Sequence, residues 1–194
     1  MSTLERVFSD GYLFEVETLS DADYGMPWKE SDGHGVVLDA YKDAIPATAK
    51  RLDFDGRYHY DVDASLVKAT SERWGISQDD LIAFNTTRGR LPNDEEITKL
   101  AVTRDYEYLR DYCTGVWEYV TVRVTLCKVD EDAEGFYYRT QYSASLGGVE
   151  SNDLSARSET RAELIKECVS NYRAACLKRV QQIALHRFTF SHSS

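Results

Sequence analysis

The sequence predicts an α+β domain: an antiparallel sheet built on one long central hairpin, packed against a long carboxyl-terminal helix and smaller helices. Three observations predict it. Residues 117–127, WEYVTVRVTLC, alternate apolar and polar side chains. Residues 136–146, FYYRTQYSASL, repeat that alternation after an acidic turn. Beyond them Ile165, Cys168, Val169, Tyr172, Cys176, Val180 and Ile183 recur at three- and four-residue spacing. Period two marks a half-buried strand and period 3.6 an amphipathic helix. The 194 residues read as a single domain. It has an acidic strand-and-loop region (1–63), a helical region (64–114), the hairpin (115–150) and the last helix (154–188).

Taken in order, Leu4 onward opens with a short helical turn, and Gly11–Glu17 is a strand with Tyr12, Phe14 and Val16 on one face. Residues 20–35 are loop, broken by Gly25, Pro27, Gly33 and Gly35. Val36–Leu38 is a short strand, and Arg57–Val62 alternates as another. Asp63 caps a helix over Ala64–Trp74 that Gly75 closes; Ser77 caps a second short helix; Asn93 caps a third, from Asp94 to about Tyr112. On the third, Ile97, Leu100, Ala101, Arg104, Tyr108 and Cys113 form the expected inward face.

In the hairpin, Val120, Val122, Val124 and Leu126 face inward with Phe136, Tyr138, Thr140, Tyr142, Ala144 and Leu146. Asp130 is expected opposite Phe136 across the loop Glu131–Gly135, which keeps both apolar sets on one face. A lone hairpin is unstable in water, so the following helix is expected to cover it. Roughly thirty helical residues span about 45 Å. That exceeds a small sheet, so the end projects or meets a second copy of the chain.

The charge is uneven. Residues 1–63 hold fourteen acidic and six basic side chains, which is −8 of the net −10. Such a surface disfavours direct nucleic-acid binding and suits a protein or nucleoprotein partner with a basic surface. Asp21, Asp23, Glu30 and Asp32 are the expected partner-binding acids. No apolar run approaches membrane-spanning length, and MSTLERVFSDG lacks the basic flank and apolar core of a signal peptide, so a cytoplasmic location is expected. Four widely spaced cysteines (Cys113, Cys127, Cys168, Cys176) lack zinc-site spacing and read as reduced core residues. No metal or cofactor is expected.

Two further patches bear on chemistry. Asp32-Gly33-His34-Gly35 places a histidine between glycines, and Arg57, His59 and Asp61 share one face of a strand. His34, Arg57, His59 and Asp61 together would make a small-ligand or hydrolytic site. Trp117, Tyr119 and Arg123 share the hairpin's outer face and would offer a stacking surface for single-stranded nucleic acid. The ordinary reading of such aromatics is burial under another layer. Ser145–Ser151, with two glycines, reads as a strand exit leading to a helix cap at Ser151, Asn152 or Asp153. Walker, His-Glu-x-x-His, nucleophile-elbow and zinc-ribbon patterns are missing from the sequence, so the balance of these readings is non-catalytic.

Three segments carry a resemblance. They are Trp28-Lys-Glu-Ser-Asp-Gly-His-Gly-Val36; Arg57-x-His-x-Asp-Val-x-Ala-Ser65 with the helix ending Trp74-Gly75; and Asp105-Tyr-Glu-Tyr-Leu-Arg110 followed by Trp117-x-Tyr-Val120 and Ser145-Leu-x-Gly-x-Glu-Ser151. As a set they resemble a family of small proteins encoded by bacteriophages and other mobile elements, which brings no catalytic residues to carry over. The resemblance implies a setting in a bacterial host. There, small accessory phage proteins bind and inhibit host complexes, CRISPR and restriction systems among them.

Overall fold

A computed structural model describes residues 3–9, 11–132 and 135–190, with side chains over 3–9, 11–128 and 139–182. The chain has the predicted α+β architecture, in two compact units: Met1–Tyr24 with Glu118–Ser194, and Gly25–Trp117.

The first unit is a four-stranded antiparallel sheet in the order β1-β2-β6-β7 with α5 packed on it. Its strands are β1 (Thr3–Ser9), β2 (Tyr12–Ser20), β6 (Tyr119–Asp132) and β7 (Gly135–Glu150); the helix α5 spans Leu154–Phe190. Phe14, Val16, Val120, Val122, Val124 and Leu126 form the buried face, closed by Leu164, Cys168 and Val169 of α5. Thr3–Ser9 is a strand, not the expected helical turn, because its partner β2 supplies the ladder from Thr3 against Thr18 to Ser9 against Tyr12. β2 in turn pairs with β6, so it extends the sheet and does not form a second layer over it.

The hairpin keeps the expected parity through its core but not the expected register. Val122 faces Leu146, Val124 faces Ala144 and Leu126 faces Tyr142. Toward the tip the pairing changes to Asp130 with Tyr137, Glu131 with Phe136 and Asp132 with Gly135. The strands stay paired nearer the tip than expected, as far as Asp132 with Gly135, and two irregularities shift the register further, one between Leu126 and Cys127 and one between Val120 and Val122. Each inserts a residue on one strand, which sequence alternation alone does not reveal. Leu146, expected inside, is half exposed where the second bulge begins. The side chains of Phe136 and Tyr138 lie outside the described residues.

α5 follows its stripe only part of the way. Cys168 and Val169 are buried and Tyr172 half-buried, but every residue from Arg173 to Gln182 is exposed. Cys176, expected in the core with the other cysteines, is among them. Among the described residues no helix is long and apolar enough to cross a membrane.

The second unit holds a three-stranded sheet in the order β3-β5-β4, made of β3 (Val36–Asp39), β4 (Lys50–Arg51) and β5 (Tyr58–Asp61). Around it lie the short α1 (Pro27–Glu30), α2 (Val62–Glu72), α3 (Gln78–Arg88) and α4 (Asp94–Cys113). Leu52, Tyr60, Ala69, Val102 and Leu109 are its buried core. Caps set the helix starts. Ser77 accepts from Asp80 N–H, and Asn93 forms a reciprocal capping box with Glu96. α2 starts earlier than expected, because Asp61 caps it in place of Asp63; it ends on Arg73 in the left-handed region, before Gly75. α4 is also turned slightly from the expected face. Ala101, Val102 and Leu109 are buried, while Arg104 is mostly exposed.

A histidine and an aspartate at the candidate functional site

The Asp32–Gly35 turn leads into β3, and its geometry is fixed from three sides. Lys68 on α2 donates to the carbonyls of Asp32 (2.6 Å) and His34 (2.7 Å). Ser65 on α2 accepts from Val36 N–H at 2.9 Å and donates to Asp61 O at 2.6 Å. Asp105 on α4 is the common anchor. Its Oδ1 meets His34 Nδ1 at 2.7 Å, and its Oδ2 accepts from Gly35 N–H (2.7 Å) and the Tyr60 hydroxyl (2.8 Å).

Gly35 is required by close approach. A Cβ there would fall on the Tyr60 hydroxyl and on Ser65 Oγ. Tyr60 is fully buried. Burial above all raises its phenol well past the ordinary value, and the Asp105 carboxylate adds to this against a pull from Ser65, so it stays a hydroxyl donor. The His34 ring stacks on Tyr108 at 5.4 Å with planes 11° apart. Tyr108 packs on Trp117 at 4.5 Å, Trp117 on Tyr112, and Tyr112 on Trp28. Much of this unit's aromatic content is therefore one continuous packed row behind the histidine.

The side chains of His34 and Asp105 are 17% and 10% exposed. With Nδ1–H donated to the carboxylate, the neutral ring presents Nε2 as an acceptor, and no described protein group occupies it. Beside the turn lies a cleft of about 510 Å³, lined by Gly33, Trp74, Ser77, Asp80, Arg104 and Asp105 among others. Arg104 is committed to Asp80 (2.7 Å) and Glu107 (2.8 Å). Two carboxylates against one guanidinium leave the lining with a net negative charge.

The predicted residues divide differently. Arg57 does not join His34: it donates to Asp39 at 3.1 Å and lies over the rings of Tyr41 and Tyr58. That hydrogen bond, above all, holds the Asp39 carboxyl below the ordinary value. Asp61 is spent on capping, accepting from Ala64 N–H at 3.0 Å. His59 pairs with Leu38 and Arg51 in the sheet, and its Nδ1 is buried with no hydrogen-bond partner. Sequence reasoning missed Asp105 as the partner of His34. The signal was an acid four residues from both Ala101 and Leu109, inside the buried stripe of α4.

The expected acidic surface is split between the units. Glu30 and Asp32 are exposed beside the turn, and Asp23 is exposed in the first unit. Asp21 is structural: its Oδ2 accepts from Thr121 Oγ1 and from Gly148 N–H, both at 3.0 Å. Gly148 has φ +71°, and a Cβ there would strike the Tyr24 ring, so the glycine pair serves the β7 bulge. The strand then runs to Glu150, and Asp153 caps α5 by accepting from Ala156 N–H at 2.8 Å.

The expected stacking surface is not assembled as one face. Trp117 is 2% exposed in the second unit's core, with its indole N–H on Tyr108 O at 3.0 Å. Tyr119 packs on Tyr24 at 4.4 Å, and Arg123 pairs with Glu17 at 2.6 Å. Among the described residues no three histidine, cysteine or acidic side chains come together to hold a metal ion. Burial pushes the Cys113 thiol up to about 12, which leaves it an inert thiol. No family model matches this chain, and no curated protein or solved structure matches it either.

Proposed function

We propose that this chain is a non-catalytic binding protein that recognises a basic group on a protein partner through the face around the Asp32–Gly35 turn. The observation that carries the reading is the cleft beside that turn. It combines an aromatic wall, Trp74, with a net negative lining from Asp80 and Asp105 against Arg104. The exposed Glu30 and Asp32 stand next to it in sequence. A lysine or arginine side chain fits such a lining by charge and by cation–π contact with Trp74. The setting implied by the phage resemblance makes a host complex with a basic, nucleic-acid-handling surface the class of partner. Binding there would inhibit it by occupying that surface. Self-association through the exposed end of α5 belongs to the same proposal as a route to bivalency.

The test is calorimetric titration of an arginine-rich peptide. Trp74→Leu and the double reversal Glu30→Lys/Asp32→Lys should weaken binding at least tenfold. Asp55→Lys, an exposed acid elsewhere in the unit, should have a small effect. Equal losses for all three would mean attraction by net charge alone and would reject a defined site.

A second reading rests on a separate observation: the His34 ring is held at Nδ1 by Asp105 and against Tyr108, with Nε2 left open. That arrangement suits a proton acceptor toward a small ligand. It predicts that His34→Ala abolishes ligand binding or turnover, whereas the first reading predicts a modest effect on partner binding.

A further inference from the structure

The four-stranded sheet of the first unit has two edges, and they differ. β7, at one edge, is interrupted against β6 by two irregularities and carries the left-handed turn at Gly148. Bulges of this kind keep a strand edge from pairing with another chain. β1, at the other edge, runs with β2 in unbroken register from Thr3 against Thr18 to Ser9 against Tyr12. It holds neither proline nor lysine, two residues that commonly guard an edge. Val7 packs toward the core under α5, so alternation puts Leu4, Arg6 and Phe8 on the opposite face. Leu4 is 57% exposed there and Phe8 78%. Ser9 and Tyr12 close the hairpin, and the closing pair of a two-residue connection is a hydrogen-bonded one. Thr3, Glu5, Val7 and Ser9 therefore turn their N–H and C=O groups toward β2, and Leu4 and Phe8 turn theirs outward to the open edge.

We propose that β1 pairs antiparallel with β1 of a second copy of the chain about a two-fold axis at Arg6, joining two four-stranded sheets into one. The strand itself selects this occupant. Laid antiparallel on itself about Arg6, Thr-Leu-Glu-Arg-Val-Phe-Ser sets hydroxyl against hydroxyl (Thr3, Ser9) and apolar against apolar (Leu4, Phe8). A two-fold contact needs such self-complementarity. The same register brings the outward N–H and C=O groups of Leu4 opposite those of Phe8 in the second copy, and the reverse. Leu4 thereby arrives beside Phe8, which lines a cleft of about 280 Å³ with Leu13, Leu126, Cys127 and Tyr172 among others. Charge does not oppose the contact, although the chain carries a net −10. Arg6 meets its own copy on the axis, but each Arg6 has Glu15 at 3.0 Å, and Glu5 has Arg161 at 2.9 Å. Pairing of β1 with β7 of the next copy would be head-to-tail and open-ended, whereas the two-fold contact closes. A closed dimer uses one such contact; a second at the end of α5 would extend it into an open chain.

Sedimentation equilibrium of the full-length chain is the test. A seven-residue strand contact is small, so a dimer with a dissociation constant on the order of 10–100 µM is expected. Leu4→Glu and Phe8→Lys each set a charge against an apolar side chain twice across the axis, and each should weaken the dimer at least about tenfold. Both positions are exposed, so the far-ultraviolet circular dichroism of either variant should match the wild type. Combined in one chain, the two changes set carboxylate against ammonium at both positions, and the double variant should dimerise at least about threefold more tightly than either single variant. Damage to the fold would not produce that recovery, nor would another register. Leu177→Asp/Val180→Asp, at the exposed end of α5, should leave the constant unchanged. A chain still monomeric at about 500 µM, which would leave the edge to a foreign strand, would overturn the proposal. So would a double variant no tighter than the single ones, assembly beyond the dimer, or a dimer lost in Leu177→Asp/Val180→Asp.

Discussion

Asp105→Ala should be among the most damaging single substitutions in the Gly25–Trp117 unit. The carboxylate receives three short donors: His34 Nδ1, Gly35 N–H and the hydroxyl of a fully buried tyrosine. Hydrogen bonds to a charged group contribute about 1.5–3 kcal/mol each, and three on one carboxylate are not additive. Removing the acceptor also strands the Tyr60 hydroxyl and the Gly35 amide. The expected loss is about 3–5 kcal/mol, a large share of the roughly 5–15 kcal/mol that stabilises a typical domain. Asp105→Asn keeps the shape and one acceptor oxygen. Its amide can donate to His34 Nδ1 once the ring changes tautomer, so about 1–2 kcal/mol is expected. Urea unfolding followed by tryptophan emission isolates the effect, because all three tryptophans (Trp28, Trp74, Trp117) belong to this unit. An Asp105→Ala loss below about 1 kcal/mol would refute the idea that one carboxylate organises the turn, since no reading of three unmet donors gives so little.

Other predictions follow from the same physics. Gly35→Ala should cost about 1–3 kcal/mol by tryptophan-monitored unfolding, because Tyr60 and Ser65 are held and cannot yield to a methyl group; Gly33→Ala, which meets only Ser31 Oγ, should cost far less. Leu126→Ala in the hairpin core should cost about 2–5 kcal/mol by far-ultraviolet circular dichroism. Leu177→Asp and Val180→Asp, on the exposed end of α5, should stay within about 0.5 kcal/mol if that end is uncovered in solution; a larger loss that grows with protein concentration would mean it is covered by a second copy. Arg90 first, and then the Asn93 amide, hold Glu96 down to about 2 against an ordinary 4.5. Because the folded value is depressed, the contribution is complete above the ordinary value and is lost as pH falls through about 2; a carboxyl ¹³C titration with a midpoint near 4.5 would contradict the pair.

The elements legible in the sequence were those set by local chemistry. Ser77 and Asn93 announce helix starts because a side-chain oxygen three residues before a backbone N–H is a local interaction. The hairpin's buried face was legible because alternation through Val120, Val122, Val124 and Leu126 is uninterrupted. What failed depended on distant partners. Thr3–Ser9 has no alternation of its own and becomes a strand by pairing with β2. The β6–β7 register was missed because the strands stay paired as far as Asp132 with Gly135 and a bulge follows between Leu126 and Cys127, neither of which alternation announces; at the base of the hairpin Gly148 adopts its left-handed turn against Tyr24 and Asp21, more than a hundred residues away in sequence. The same holds for the site. His34 was visible between its glycines, but its partner lies 71 residues on, and the strand neighbours Arg57, His59 and Asp61 answer to Asp39, the sheet and a helix cap. The four acids read as one surface because net charge carries no geometry; Asp21 accepts two hydrogen bonds inside a bulge.

Affinity purification of the tagged chain from a bacterial host tests the central claim most directly, with the wild type compared against Glu30→Lys/Asp32→Lys and Asp55→Lys. A stoichiometric protein with a basic surface, retained by the wild type and Asp55→Lys but lost by the double reversal, is the result that recognition through the Asp32–Gly35 face predicts. Recovery of no partner, or of one equally indifferent to all three, would contradict it.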